Sequence, residues 1–458
     1  MIEHIIKHIN HILQFLNILS PKIFYVFKKI LNGCILLFGG SMKRKLNING
    51  ILIILIILSI AIFLSIYLLV PNKNSNQEEK IMINLINKTA QEAQEFANNN
   101  KLNLIVKENN NTYEKGKIYY QSIIKDSKII ENQELIIYVS KGIDYESLKV
   151  NELGNVPIMM YHGIQDIENK YTGGNIDIDG YQRTKKAFEQ DLEFYYQNGY
   201  RMIRLQDYVN GKIDVEAGFS PIILTFDDGL SNNIKVTGLD DDGNIIIDPN
   251  SAVGILESFK KKYPNFNITA TFFVNGGLFQ QREYNEQILN WLVNNGYDIG
   301  NHSYSHVDFT TVSKEKSVQE IGSLYNLLDK YIPGKYVNIV ALPFGSPYNK
   351  THNNFSAILN GIYNSKEYKT ISTLRVGWEA DYSPFSYSFD KNFLKRIRAY
   401  DNLGKEFDIE MNFKILENNR YISDGNVNTI TVPKSLEEKI NNIYDLDINT
   451  YWQKNIIC

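Results

Sequence analysis

The chain has 458 residues, of which 43% are hydrophobic and 22% are charged. This balance is typical of a globular protein with two or three folded units and excludes a fibrous or disordered chain. The 48 basic and 51 acidic side chains give a formal charge of -3, which leaves no cationic excess for binding a nucleic acid. Only two cysteines occur, Cys34 and Cys458, so a disulfide framework is excluded, although an oxidising compartment is not.

An apolar segment at residues 51–70 contains no charged side chain. At about 1.5 Å per residue it would span the ~30 Å hydrocarbon core of a bilayer. No small-residue cleavage pattern follows it, so we predict an uncleaved transmembrane helix rather than a signal peptide or a buried core helix. Lys43, Arg44 and Lys45 precede it, which predicts a single-pass protein of the cell membrane with its following domains outside the cell.

Residues 1–41 allow two interpretations. Their apolar runs alternate with Lys and His as in an interfacial helix, whereas Met42 and the basic residues after it resemble a natural start. We therefore treat residues 1–41 as an N-terminal extension and leave both interpretations open. Residues 42–75 are then the basic flank, the anchor and a polar linker.

Residues 76–143 predict a small α+β domain. Apolar positions between 81 and 97 fit a helix, and alternating apolar residues at 102–106 and 135–139 fit two strands that cover one of its faces. The phrases GKIYYQS at 116–122 and VSKG at 139–142 resemble a PASTA module. That resemblance implies an extracellular unit associated with peptidoglycan, and a simple spacer role stays open beside it.

Between residues 144 and 433, short apolar runs alternate with helical patterns. The runs lie at 157–161, 222–226, 270–274 and 339–342, and the helical patterns include 184–198 and 316–331. This alternation predicts an α/β domain with a parallel sheet closed into a barrel. Polar residues at the carboxyl ends of such strands are where the chemistry of barrel enzymes occurs. Residues 434–458 are left as a C-terminal tail.

Two polar phrases follow these runs. TFDDG at 225–229 places Asp227 and Asp228 at the end of an apolar strand, although a lone DDG is most often a turn. NHSYSH at 301–306 places His302 and His306 four residues apart, a spacing that lets both rings reach one ion. Asp228 and the two histidines would give three protein ligands with an open position, as in a catalytic metal site.

These phrases, with ALPFG at 341–345, resemble the polysaccharide deacetylase family, also called NodB-homology or carbohydrate esterase 4. The resemblance implies a distorted (β/α)₇ barrel. It makes Asp227 the general base, assigns Asp228, His302 and His306 to the metal, and gives the backbone N–H of Phe344 to the oxyanion. The expected cofactor is Zn²⁺, although two histidines and an aspartate also accept Co²⁺, Ni²⁺ or Mn²⁺.

The chain departs from the family pattern at the residue that braces the base. The third phrase of the family begins with Arg, whereas this chain has Ala341. Arg396 and Arg398 are the candidates to replace it, and the alternative for both is an ordinary exposed charge on a strand.

A second departure concerns the general acid, because the late histidine of the family has no counterpart. The early phrase MYH at 160–162 is similar to the permuted branch that includes the poly-N-acetylglucosamine deacetylases, and this resemblance implies that His162 is the acid. The alternative is a buried histidine that a backbone carbonyl satisfies.

The resemblance implies a hydrolase that removes N-acetyl groups from a cell-envelope glycan containing N-acetylglucosamine. Peptidoglycan and poly-N-acetylglucosamine are both open as substrates. Two other functions remain: a wall-binding protein with impaired catalysis, and an O-acetyl esterase on the same scaffold.

Overall fold

The computed structural model describes residues 29, 80–168, 171 and 173–453. The chain divides into residues 1–81 and 82–458, and the helices and strands below lie in the second unit. Within the described residues no helix has both the length and the apolar character needed to cross a membrane. The predicted anchor at 51–70 lies outside those residues, as do Cys34 and Cys458.

The small domain begins with helix α1, Ala90–Asn100, and Thr89 fixes its start. The Thr89 side chain accepts a hydrogen bond from the Glu92 N–H, while the Glu92 carboxylate accepts one from the Thr89 N–H at 2.7 Å. This reciprocal cap satisfies backbone donors that the first turn would leave unpaired. The helix predicted from residue 81 therefore begins at residue 90.

Three strands complete this domain: β1 Asn103–Asn109, β2 Ile118–Gln121 and β3 Glu134–Ser140. The central strand is β3, which runs parallel to β1 and antiparallel to β2. Alternating residues of β3 are buried in one cluster with Ala93 and Ala97 of α1. The predicted α+β domain is confirmed.

The larger domain alternates strands and helices along the chain. Its strands to the end of the parallel sheet are β4 Ile158–Tyr161, β5 Gly163–Gln165, β6 Gln182–Thr184, β7 Tyr200–Met202, β8 Ser220–Phe226, β9 Val236–Leu239, β10 Ile245–Ile247, β11 Thr271–Val274, β12 Asp298–Asn301, β13 Ile339–Ala341, β14 Asn360–Tyr363, β15 Lys366–Lys369, β16 Ser372–Leu374 and β17 Ile397–Arg398. Its helices are α2 Lys185–Gln197, α3 Leu205–Val209, α4 Ala252–Lys262, α5 Asn285–Asn294, α6 Lys314–Tyr331, α7 Phe355–Leu359 and α8 Ile409–Asn419.

The main sheet is parallel and curled. Its strand order is β16-β13-β12-β11-β8-β4-β17, and β7 also pairs with β8. The two ends of this order approach each other, because Leu394 forms a parallel bridge with Leu374 three residues before β17 begins. The α/β class and the predicted strands are therefore confirmed.

Alternate residues of each strand pack into two different apolar clusters. Ile158, Ile223 and Phe273 join the cluster that contains Leu374 and Leu394. Their immediate neighbours on the same strands join a second cluster, which holds the apolar faces of α2, α4 and α5. Both faces of the sheet are thus buried, as a parallel sheet requires.

Smaller pairings surround this sheet. Strands β9 and β10 form an antiparallel hairpin, and the Asp240 carboxylate in its turn accepts hydrogen bonds from the Asp242 and Asn244 N–H groups. Strands β14 and β15 form another hairpin. Within the predicted C-terminal tail, β19 Asp447–Tyr451 pairs in parallel with β18 Thr429–Pro433. The predicted domain boundaries otherwise stay predictions.

Gly377 packs closely against the backbone of Arg396, the residue just before β17. A Cβ atom at Gly377 would lie 1.5 Å from the Arg396 carbonyl oxygen. We expect Gly377→Ala to destabilise the domain by about 1–3 kcal/mol or more, since the clash is with backbone. A thermal melt of each variant measures this. Gly238→Ala is the control because its Cβ would meet nothing within 4 Å, and equal melting of the two variants would contradict the prediction.

A buried carboxyl group at Glu152, before β4, predicts a pH-dependent stability. Glu152 accepts hydrogen bonds from the Tyr421 hydroxyl and from the Asp424 and Thr431 N–H groups. Burial, reinforced by the Asp424 carboxylate, raises the pKa of Glu152 to about 8. The folded state therefore keeps a proton that the unfolded chain releases at lower pH.

The stabilisation from this proton is complete in acid and is lost as pH rises toward 8. We expect the free energy of unfolding to fall between pH 5 and pH 8. Glu152→Gln should make the slope of this free energy against pH smaller by the contribution of about one proton, or ~1.4 kcal/mol per pH unit. Urea unfolding at several pH values measures the slope. An unchanged slope in Glu152→Gln would count against a titrating Glu152.

Candidate metal centre and active site

The predicted site residues meet at the carboxyl edge of the parallel sheet. Asp227 directly follows β8, His162 follows β4, and His302 follows β12. The strands carrying the first two are in register, with Tyr161 opposite Phe226, and the Asp227 N–H donates to the Tyr161 carbonyl at 2.9 Å. Residues far apart in the sequence are therefore held at one level of one edge.

Asp228, His302 and His306 form a compact cluster. Asp228 Oδ1 lies 3.3 Å from the Nε2 atom of each histidine, and one ligand atom from each residue lies within 4.8 Å of the others. Tetrahedral zinc with bonds of about 2.0–2.1 Å places its ligand atoms roughly 3.3 Å apart. The three residues therefore fit a divalent metal ion.

The electrostatics of the cluster favour a cation. Burial opposes a charge on His302, but the Asp227 and Asp228 carboxylates outweigh it and raise the pKa of that ring. Burial and the neighbouring His302 lower the pKa of His306, which favours the neutral ring that can ligate a metal. His302 is buried, whereas the Asp228 and His306 side chains are 26% and 33% exposed, so one side of the cluster faces solvent.

The backbone of Ala341 orients His302. His302 Nδ1 lies 2.8 Å from the Ala341 carbonyl oxygen, which can only accept a hydrogen bond, so Nδ1 donates to it and Nε2 is the ring nitrogen that faces Asp228. Ala341 stands where the family resemblance predicts an arginine. This backbone contact is independent of the side chain and could not be read from the sequence.

Two buried polar residues, Asn301 and Glu320, hold the backbone of the segment that carries His302 and His306. The Asn301 side chain donates to the Ile321 carbonyl at 3.0 Å and accepts from the Ser303 N–H at 2.9 Å. The Glu320 carboxylate accepts from the Ser305 N–H at 2.6 Å. Sequence reasoning missed both roles, and only the position of Asn301 at the start of the histidine phrase gave a signal.

Arg396 braces the predicted base. Its Nη1 and Nη2 donate to the two oxygens of Asp227 at 2.8 and 2.7 Å, and its Nε donates to the Arg375 carbonyl at 2.8 Å. Arg396 is fully buried and Asp227 is 2% exposed. Burial alone would raise the pKa of Asp227, but the guanidinium holds it well below its usual range. The alternative of an exposed strand charge is therefore wrong for Arg396.

His162 lies beside this pair. Its ring is partly buried, and Nδ1 is enclosed with no hydrogen-bond partner in the part of the chain that the structure describes. Burial lowers the pKa of His162, and the Asp227 and Asp228 carboxylates oppose this. The Asn233 side chain donates to the His162 carbonyl at 2.7 Å. The alternative of a histidine satisfied by a backbone carbonyl is not what the structure gives.

Several residues at this edge have a left-handed backbone conformation. Asp228, His306 and Phe344 have φ values of 74°, 54° and 55°, which residues with side chains adopt at a cost in energy. Gly229 has φ 58°, and a Cβ there would lie 2.2 Å from the Leu278 carbonyl oxygen. The DDG phrase therefore needs its glycine for both conformation and space.

Exposed aromatic rings lie in the loops that follow the strands. The Phe344 ring packs against His306 at a centroid distance of 4.7 Å and is 55% exposed. Tyr304, Tyr348 and Trp378 are also exposed, whereas Trp291 packs on the core. Phe344 thus gives the metal cluster an apolar side that faces solvent.

Two family models match the chain. One, described as polysaccharide deacetylase, matches residues 214–360, and the other, described as PASTA domain, matches residues 80–141. The first match contains the aspartate and histidine phrases but neither His162 nor Arg396. His162 was predicted from the early MYH phrase, and Arg396 was one of two candidates between which the structure decides.

The peptidoglycan-N-acetylmuramic acid deacetylase PdaC of Bacillus subtilis (strain 168) is 32% identical over 124 residues, which is 27% of this chain and 21% of that protein. The chain thus matches about a fifth of the length of this curated relative. The chain is also similar to three solved structures. A Streptococcus pyogenes deacetylase, PplD in complex with acetate, has 18% identity and a TM-score of 0.40 over 55% of this chain and 95% of its own.

A polysaccharide deacetylase from Bacillus cereus has 16% identity and a TM-score of 0.40, covering 64% of this chain and 74% of its own. A PdaC structure from Bacillus subtilis has 26% identity and a TM-score of 0.21, covering 30% of this chain and 54% of its own. The two family matches are the findings that assign the domains. The chain carries a polysaccharide deacetylase domain preceded by a PASTA domain.

Proposed function

We propose that this chain is a metal-dependent hydrolase that removes N-acetyl groups from a cell-envelope polysaccharide. The observation that carries this proposal is the pairing of two adjacent carboxylates with different surroundings. Asp228 faces two histidines, while Asp227 is buried and braced by Arg396. One carboxylate is thus suited to ligate a cation and the other to accept a proton.

Asp228, His302 and His306 would hold the metal, and Zn²⁺ is the ion that this ligand set fits best. When bound, such an ion supplies a Lewis acid and lowers the pKa of water toward about 7. Asp227 would take the proton from the water that attacks the acetyl carbonyl. The depressed pKa of Asp227 keeps it ionised for this role.

His162 would act on the leaving group. An amide nitrogen leaves only when it is protonated, so a proton donor is required. His162 follows β4 and Asp227 follows the neighbouring strand β8, so the two side chains would act on the same acetamido group from adjacent strands. The backbone N–H of Phe344 would stabilise the charge that develops on the carbonyl oxygen.

The substrate is proposed as a glycan containing N-acetylglucosamine, either peptidoglycan or poly-N-acetylglucosamine. The name of the PdaC relative and the PASTA match favour peptidoglycan, and the early position of His162 favours poly-N-acetylglucosamine. The PASTA domain would hold the enzyme on the wall polymer. The segment at 51–70 would anchor the chain in the cell membrane, with the catalytic domain outside.

Release of acetate tests the function. We expect the full chain, purified in detergent, to release acetate from N-acetylated chitooligosaccharides or from peptidoglycan strands. Asp227→Asn should lower the rate by about 10²–10⁴ because the base is lost, while the variant still binds one metal ion per chain by elemental analysis. A chelator should stop the reaction and Zn²⁺ should restore it.

The other functions give different results in the same assay. A wall-binding protein without catalysis releases no acetate from any polymer. An O-acetyl esterase releases acetate only from O-acetylated glycan. Either result would overturn the proposal.

A second prediction tests the brace. We expect Arg396→Met to lower kcat/KM by about 10²–10³, because removing one partner of a buried ion pair leaves Asp227 unsupported. Arg396→Lys keeps the charge but loses the bidentate geometry, so its kcat/KM should lie between those of Arg396→Met and wild type. The measurements are acetate-release kinetics and metal content, which should stay at one ion per chain.

The control is Arg420→Met. Arg420 stacks on Tyr200 and donates to the Asn198 carbonyl near the amino ends of the strands, so its loss should leave the kinetics unchanged. Full activity in a metal-loaded Arg396→Met variant would contradict a bracing role.

A further inference from the structure

Arg398 is the last residue of β17, and Arg396 directly precedes that strand. Leu394, before both arginines, belongs to the interior cluster of the sheet. Arg396 donates to Asp227 and is fully buried. Arg398 pairs with Met160 and the Ala399 N–H donates to the Met160 carbonyl at 3.0 Å, which places Arg398 at the level where β4 leads into His162.

Two tyrosine rings hold the Arg398 guanidinium. Its Cζ atom lies 3.8 Å from the centroid of the Tyr400 ring and 5.3 Å from that of Tyr181. The Tyr181 ring also packs edge-on against the His162 ring, with centroids 4.7 Å apart. A continuous line of contacts therefore runs from Arg398 to the proposed acid.

The Arg398 guanidinium has no ion pair and no side-chain hydrogen bond within the described ranges 80–168 and 173–453. Other buried arginines at this end of the domain are paired: Arg396 with Asp227 and Arg183 with Asp191. The acidic residue next along the chain, Asp401, is taken by Arg183 and by the Gly174 N–H. Arg398 is therefore a partly buried cation whose five N–H donors face no protein carboxylate.

The Arg398 guanidinium, which lies near the proposed acid His162, is suited to bind a carboxylate. The contacts with Tyr400 and Tyr181 restrict the position of the group, and a planar guanidinium binds a carboxylate through two parallel hydrogen bonds. A neutral sugar would leave this cation without a counter-ion. A sugar with a carboxylate would satisfy it at little cost in side-chain entropy.

We propose that Arg398 binds a carboxylate on the glycan, so that the preferred substrate is a polymer of N-acetylated amino sugars carrying acidic substituents. This inference rests on the proposed deacetylase function and narrows its substrate. It selects a glycan with carboxylate-bearing N-acetylmuramic acid units over a neutral polymer of N-acetylglucosamine. Arg398 is the residue that distinguishes the two.

The test compares two forms of one substrate on the full chain in detergent. The first is a soluble glycan fragment of alternating N-acetylglucosamine and N-acetylmuramic acid with free carboxylates, and the second is the same fragment with those carboxylates converted to methyl amides. Wild type should show a kcat/KM ratio of acid to amide of roughly 10–100, as expected for a charge-assisted hydrogen bond. Arg398→Gln should reduce the ratio to about one, and Arg398→Lys should give an intermediate ratio.

Arg420→Gln is the matched control, because Arg420 also stacks on a tyrosine but lies at the opposite end of the strands. It should keep the wild-type ratio. Equal rates on both fragments in wild type, or a preference that survives Arg398→Gln, would overturn the inference.

Calorimetric binding of the same two fragments separates this inference from the proposed function, since binding needs no turnover. Preferential binding of the acid form that Arg398→Gln abolishes supports the Arg398 site even where no acetate is released, and the deacetylase proposal then fails alone. Equal binding of both fragments, with acetate released from each, overturns the Arg398 site and leaves the deacetylase proposal standing.

Discussion

The buried ion pair between Arg396 and Asp227 connects the residue just before β17 to the residue just after β8. Two oxygens of Asp227 receive two N–H groups of Arg396, and the Arg396 Nε is held by the Arg375 carbonyl. Neither charge could be buried alone, because an unpaired ion in this interior would cost several kcal/mol. The pair therefore fixes how β17 and β8 are placed, and the position of the base follows from it.

The two adjacent aspartates differ because the backbone turns between them. Asp227 continues the inward face of β8 and remains buried, whereas Asp228 adopts a left-handed conformation and reaches the two histidines. Gly229 and the Leu278 carbonyl leave room for this turn. A single dipeptide thus supplies a carboxylate that is kept ionised by a guanidinium and another that faces the place of a cation.

A second arginine, Arg398, lies at the end of β17, two residues after Arg396. Arg396 is neutralised by Asp227 within the protein, whereas Arg398 contacts the Tyr400 and Tyr181 rings and meets no carboxylate of the described chain. The proposed acid His162 touches the same Tyr181 ring. Arg398, which would bind the substrate carboxylate, and His162, which would deliver the proton, would then be linked through their contacts with Tyr181.

The sequence by itself determined the α/β class, the apolar strands, the aspartate and histidine phrases and the small α+β domain, since these depend on local periodicity and on short motifs. It also named Arg396 and Arg398 but could not decide between a brace and an exposed charge. The tertiary structure decided this, because Asp227 and Arg396 are separated by 169 positions in the chain and meet only where the sheet curls. The Ala341 carbonyl that orients His302 and the tyrosines around Arg398 are likewise contacts between distant segments. Such contacts leave no periodic pattern in a sequence, since they are fixed by the register and closure of the strands.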